Sequence, residues 1–173
     1  IGKFKARIGV ESFERLFYRV LDEAEKLGIE ISTKRNADAT DIKANVDTKR
    51  CAKDKKDDND KTFIDRNTSD PDAKFGRKDS NGKSWYGFKS HTNDDAENGL
   101  ITAVITTAAN ETDESQLIPL VDKERDYRGE DAIKQQGGDK GYIGHTEDLE
   151  ERAIKDYVIP RDNMKKAKEK KDK

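Results

Sequence analysis

Near the start of the chain, apolar residues recur at helical spacing: Phe13, Leu16, Phe17, Val20, Ala24 and Leu27, with Gly28 placed to stop the helix. The spacing predicts an amphipathic helix over residues 10–27, packed on a core through that stripe. Residues 29–46 read as an extended segment, although Lys34, Arg35 and Asn36 make it a poor buried strand. A long polar stretch follows, over 47–80. Residues 85–89 and 100–106 then read as the strands of a hairpin, joined by the turn-rich 94–99. Leu117, Leu120, Val121 and Glu124 predict a helix opening near Asp113, in which Pro119 is tolerated only within the first turn. A weak strand from Ala132 and Ile133 leads into Gly137-Gly138-Asp139-Lys140-Gly141-Tyr142. A short helix over 146–153 follows, then a strand at Tyr157-Val158-Ile159 stopped by Pro160. The order is helix, strand, charged insertion, hairpin, helix, strand, helix, strand. A three-strand meander followed by alternating helix and strand is the pattern of a mixed-sheet α/β domain.

Composition narrows where that sheet finds its core. The 173 residues are 31% hydrophobic and 42% charged, so burial must concentrate in a few short elements of one domain. The acid- and lysine-rich block over 53–60 is expected to be a solvated loop or a disordered insertion. It has the acids of a calcium loop without the spacing, the glycine or the terminal glutamate. Thirty-five Lys and Arg nearly balance 37 Asp and Glu, so overall charge gives no vote for nucleic acid. The single cysteine, Cys51, excludes an internal disulfide and a multi-cysteine zinc site. With no bilayer-length apolar run and no secretory signal, the expectation is a cytoplasmic protein without a membrane partner. The chain opens on Ile1 and stops inside a lysine-rich run, and both ends read as cut.

Two segments carry an isolated aspartate flanked by small residues at the end of an expected strand. One is Ala37-Asp38-Ala39-Thr40-Asp41-Ile42-Lys43-Ala44, the other Gly138-Asp139-Lys140-Gly141-Tyr142. In open α/β sheets, sites form beside strand ends. Carboxylates converging there repel unless a hard cation neutralises them, and such acids hold the Mg²⁺ used in phosphodiester chemistry. Among 37 acids, spacing alone is a weak signal.

The chain resembles the DDE transposases of bacterial and archaeal insertion sequences. The tags that carry the resemblance are 38–45 (DATDIKAN), 70–75 (DPDAKF), 85–91 (WYGFKSH), 99–104 (GLITAV), 109–113 (ANETD), 139–142 (DKGY) and 157–161 (YVIPR). Each is short; their order and spacing span nearly the whole chain. The resemblance implies a ribonuclease H-like fold over 29–163, interrupted by a charged insertion around 47–70. A helical segment over 1–28 precedes it and a lysine-rich tail over 164–173 follows. It implies metal-dependent DNA cleavage and strand transfer at element ends, with Mg²⁺ or Mn²⁺ as cofactor and element-end and target DNA as partners. A homodimer is the assembly implied for the full-length protein. Asp38 matches the first catalytic, metal-binding acid and Asp139 the second. The family's third acid is a glutamate on a later helix, and Glu169 lacks its flanking pattern. The fragment is therefore expected to be inactive, with Glu147, Glu150, Glu151 and Glu169 the acids to search if it is not.

The chain also departs from the family. Aliphatic runs normally precede each catalytic aspartate; here stand Lys34-Arg35-Asn36 and Gln135-Gln136-Gly137-Gly138. Neither buries well, so the two strands are expected to be short and edge-exposed, or the sequence to come from a decaying element. Lys89, His91, Lys140 and Arg161 are the candidate DNA contacts. A strand-borne His91 is equally readable as a hydrogen-bonded structural residue, and Lys140 as a solvated turn lysine. The terminal lysines could neutralise phosphates, which would make binding salt-dependent. Two competing readings are a non-catalytic DNA-binding or interaction domain, and a charged structural protein in which Asp38 and Asp139 lie far apart.

Overall fold

The computed structural model describes residues 2–47, 69–77 and 84–160. The 53–60 block, Cys51, Arg161 and the lysine-rich tail lie outside the described residues. Helix α1 covers Gly2–Lys26 and is broken at Gly9, whose φ of 78° and ψ of 165° are not helical. It ends as the sequence predicts. Gly28 takes a positive φ, Ile29 N–H donates to the Ala24 carbonyl at 3.0 Å, and Gly28 N–H donates to that of Glu25 at 2.9 Å. That is the paired bonding of a glycine-terminated helix.

The face that α1 buries differs from the expected stripe. Tyr18, Leu21 and Ala24 are buried, while Leu16, Val20 and Leu27 are exposed; the side chain of Phe13 is outside the described set. Polar partners choose the face. Tyr18 stacks on Tyr127 at 4.0 Å, Glu14 pairs with Lys123 at 2.9 Å, and Glu25 pairs with Arg128 at 2.8 Å. Tyr127 donates to Asp22 at 2.9 Å. These directional contacts outweigh a stripe that is apolar but misaligned with them.

The strands are β1 (Lys34–Lys43), β2 (Lys74–Arg77), β3 (Ser84–Asp95), β4 (Ile101–Ala108), β5 (Gln135–Gly138) and β6 (Lys155–Val158). Helix α2 (Leu117–Arg128) enters through a 3₁₀ turn over Glu114–Gln116, and α3 (Thr146–Glu151) lies between β5 and β6. Pro119 sits in the first turn of α2, where its missing N–H costs nothing. The sheet is mixed. β3 pairs antiparallel with β1, β2 and β4, while β5 pairs parallel with β1 and β6 parallel with β5. The short β2, which the sequence did not announce, extends the edge of β3 beside Ser84–Gly87, next to β4. At Gly87 the strands approach so closely that a Cβ would lie 2.0 Å from the Ile42 carbonyl oxygen.

β1 is neither short nor at an edge: it runs for ten residues between β3 and β5. Its side chains alternate. Arg35 and Ala37 are buried, while Asn36, Asp38 and Thr40 are exposed on the other face. Ala37 joins Ala103, Leu117, Leu120, Val121, Ile133, Tyr142, Leu149 and Ile154 in the main core, so α2 and α3 cover the Arg35 side.

What lets a central strand carry arginine is a closed set of partners. Arg35 Nε lies 2.7 Å from Glu124 Oε1 and Nη1 lies 3.3 Å from Asp95 Oδ2, all three side chains fully buried. Arg35 Nη1 also donates to the Ser32 and Lys34 carbonyls. Thr102 donates to Glu124 at 2.6 Å. Gln136 on β5, equally buried, donates to Asn93 at 3.0 Å. Arg35 and Gln136, one before each aspartate, thus join an interior polar network where aliphatic side chains were expected. A buried charge is tolerated when paired and hydrogen-bonded.

Candidate active site

β1 outlasts β5. Ala37, opposite Gly138, is the last residue of β1 in the parallel ladder, and the rest of β1 pairs only with β3. Asp38 and Asp139 each follow that last pair by one residue and so stand at the same level, Asp139 just past the end of β5 and Asp38 still within β1, opposite Thr92 of β3. Paired strands lie about 4.8 Å apart. The notch left where β5 stops is a cleft of about 260 Å³, lined by Asp38, Asp113, Asp139 and Tyr142 together with Arg77, Trp85 and Lys89. Both aspartates are exposed. One oxygen of each is held locally: Asp38 Oδ1 accepts from the Ala39 amide at 2.8 Å, and Asp139 Oδ1 from the Gly141 amide at 2.7 Å.

Two further carboxylates line the cleft: Asp41, on β1, and Asp113, in the loop after β4. A Cβ on Gly141 would lie 2.8 Å from Asp139 Oδ1 and 3.3 Å from Asp113 Oδ2, so both acids flank one point that only glycine leaves open. Lys89 meets Asp113 from β3. Its Nζ lies 2.9 Å from Asp113 Oδ1 and 2.9 Å from the Glu111 carbonyl, with the side chain largely buried.

Behind them, Tyr142 is almost fully buried but still borders the cleft. Burial pushes its phenol well above the ordinary range, and the carboxylates of Asp113, Asp38, Asp139 and Asp94 push the same way. Its hydroxyl lies 3.4 Å from His91 Nδ1, and His91 Nε2 lies 3.0 Å from Thr107 Oγ1. Burial lowers the His91 pKa and Lys89 adds to this, against the opposing pull of Asp113. Burial likewise raises the Asp94 carboxyl; the nearby Asp38 charge adds to this, and a hydrogen bond with Thr92 opposes it. Negative potential therefore gathers on the side of the notch where Asp38 and Asp139 emerge.

These donors are hard oxygens, suited to Mg²⁺ or Mn²⁺. Among the described residues no group of three His, Cys, Asp or Glu side chains is arranged to hold a metal. Two carboxylates beside open space still suit a cation such as Mg²⁺, which keeps several of its waters and takes one or two protein acids.

The family model for the transposase DDE domain matches residues 35–173. The chain belongs to the DDE transposase family. No curated protein and no solved structure shows a match. Membership gives the domain a general role in DNA transposition and, with it, DNA binding, and DDE transposase domains generally use divalent metal ions. Its mixed α/β architecture is compatible with a ribonuclease H-like transposase fold.

Within this transposase domain the candidate residues separate clearly. Asp38 and Asp139 come together at the notch. Lys89 is engaged with Asp113 and Glu111 rather than facing solvent. His91 is fully buried, with Nε2 3.0 Å from Thr107 Oγ1. Lys140 is exposed in the turn after Asp139, and Arg161 is outside the described residues. Glu147, Glu150 and Glu151 fall on or beside α3 and do not line the cleft. Asp113 and Tyr142 were missed as site residues, although both stand in stretches that carried the resemblance, 109–113 and 139–142. Trp85, also in such a stretch, lines the cleft and is the chain's one tryptophan.

Proposed function

We propose that Asp38 and Asp139 are the acid pair with which this transposase domain holds Mg²⁺ or Mn²⁺ and acts on DNA phosphodiesters at the ends of an insertion sequence. One observation carries the reading: Asp139, just past the end of β5, and Asp38, still within the neighbouring parallel β1, stand at one level and line the same open notch. Three antiparallel strands continued by two parallel ones, in the order β4-β3-β1-β5-β6, support a ribonuclease H-like core beneath them. Asp38 and Asp139 supply the hard ligands, and the notch supplies room for a phosphate. A bound divalent cation supplies Lewis acidity for in-line displacement at phosphorus.

With Asp113 occupied by Lys89, and no group of three His, Cys, Asp or Glu side chains arranged to hold a metal among the described residues, this chain binds cation weakly and cleaves DNA poorly. The same observation favours the second reading, a DNA-binding domain without catalysis of its own. Trp85 gives a direct test. Mn²⁺ should quench its fluorescence only at millimolar concentration, and Asp38→Asn and Asp139→Asn should each abolish the quenching. Quenching unchanged in both variants rejects the assignment. Nicking of element-end DNA that vanishes in both variants would establish activity in this chain and overturn its expected weakness.

A further inference from the structure

The acidic cleft carries a cation of its own. Asp38, Asp41, Asp113 and Asp139 line it, and Lys89 enters from β3, opposite Asp41 in the ladder. The ammonium is tied down twice, 2.9 Å from Asp113 Oδ1 and 2.9 Å from the Glu111 carbonyl oxygen, and only 12% of the side chain is exposed. An ammonium is strongly hydrated, so it gives up its water only where acceptors replace it. Among the described residues Lys89 is the one hydrogen-bond donor to the Asp113 carboxylate. The other oxygen of that carboxylate, Oδ2, lies 3.3 Å from the point above Gly141 that Asp139 Oδ1 flanks at 2.8 Å. The lysine thus neutralises one of the acids at the very place where the others gather. A space of about 260 Å³ is too small to put two cations beyond each other's reach, and like charges in a partly enclosed cleft repel strongly.

We infer that the Lys89–Asp113 pair is an autoinhibitory contact: Lys89 is the cleft's internal counter-ion, and a divalent cation entering beside Asp38 and Asp139 binds against its charge. The inference rests on the proposed role of those two acids. It makes weak cation binding the consequence of one removable contact rather than of a shortage of carboxylates.

The experiment uses the whole 173-residue chain and reads the midpoint of Mn²⁺ quenching of Trp85, with thermal unfolding measured beside it. Lys89→Met keeps an apolar stem and removes the charge; the midpoint should fall roughly tenfold. Lys89→Gln gives the same reading should the methionine variant fail to fold. Asp113→Asn leaves the ammonium in place without its carboxylate and should raise the midpoint by a similar factor. The double variant Lys89→Met/Asp113→Asn removes both charges together and should return it close to that of the unaltered chain. Lys89→Arg keeps the charge and should also stay close to it. Tighter binding in Lys89→Arg would make the effect one of packing and overturn the inhibition, as would an unmoved midpoint in Lys89→Met. Asp139→Asn separates the two ideas: if it abolishes quenching while Lys89→Met leaves the midpoint where it was, the acid pair stands and the autoinhibitory contact falls. If neither variant affects quenching, both ideas fall.

Discussion

The domain holds two gatherings of acids, and they differ in what closes them. Behind the sheet, Asp95 and Glu124 are fully buried and both meet Arg35. In the cleft, Asp38, Asp41, Asp113 and Asp139 line one space, with Lys89 on Asp113. Adjacent residues of β3 show the divide. Burial pushes the Asp95 carboxyl up, but hydrogen bonds from Glu97, Asn98 and Ser32 outweigh it and hold it below the ordinary range. Asp94, pointing to the opposite face, is raised by burial and by Asp38. Acids alone therefore do not make a site. An acid whose donors are all supplied is architecture; one left without them is available to a cation.

The largest effect should come from opening the closed cluster. Arg35→Leu leaves Asp95 buried without a counter-ion and Glu124 with only Arg128, 3.9 Å away, and unfolding in urea should show a loss of about 3–5 kcal/mol. Replacing Glu124 with Leu as well should recover much of it. A single variant near wild-type stability would mean that water or rearrangement reaches the network, and the distinction between the clusters would collapse.

A smaller effect is expected from crowding the open cluster. In Gly141→Ala the new methyl meets Asp139 and Asp113 at the point they flank. Mn²⁺ affinity should fall roughly tenfold with a stability change below about 1 kcal/mol. The reverse pattern, lost stability with intact affinity, would show that the glycine serves folding rather than the cleft.

The smallest effect is a pH signature that should have opposite signs at neighbouring residues. The Asp94 carboxyl is raised in the folded state, so its contribution is most favourable below the ordinary aspartate range and is lost as pH rises through the raised value. Asp94→Asn should therefore stabilise the fold at neutral pH, with the difference vanishing in acid. Asp95 is depressed, so its contribution is present above the ordinary range and disappears as pH falls through the lowered value. Asp95→Asn should destabilise at neutral pH and not in acid. Urea midpoints at pH 7 and pH 3 decide it, and equal signs for the two variants would remove the contrast.

Patterns that depend on neighbours along the chain were readable from sequence. Gly28 ends α1, Pro119 sits in the first turn of α2, and Leu117, Leu120, Val121 and Glu124 are the residues α2 buries. What failed depended on partners distant in sequence. Arg35 reads as a poor strand residue because Glu124, its partner, lies on another element. The buried side of α1 was set by Tyr127, Lys123 and Arg128, which no local periodicity reveals. In the cleft, the two small-flanked aspartates were visible as candidates. Asp113 was not, because a loop acid gains meaning only where the fold folds it back over Gly141.

Gly87 decides more than a close contact. With the Ile42 carbonyl oxygen only 2.0 Å from where its Cβ would stand, β1 and β3 fit together only when this position holds no side chain. In a strand, odd and even residues face opposite ways, so a slip of one step exchanges the two sets. Sliding β1 by one place would bring Tyr86 or Phe88 to the crossing, and both are refused by their bulk. The same slip would turn Asp38 inward toward Leu120 and send Arg35 out to water. The parity of the strand, and with it the side on which DNA could meet an acid, is thus set by the absence of one carbon atom on the neighbouring strand.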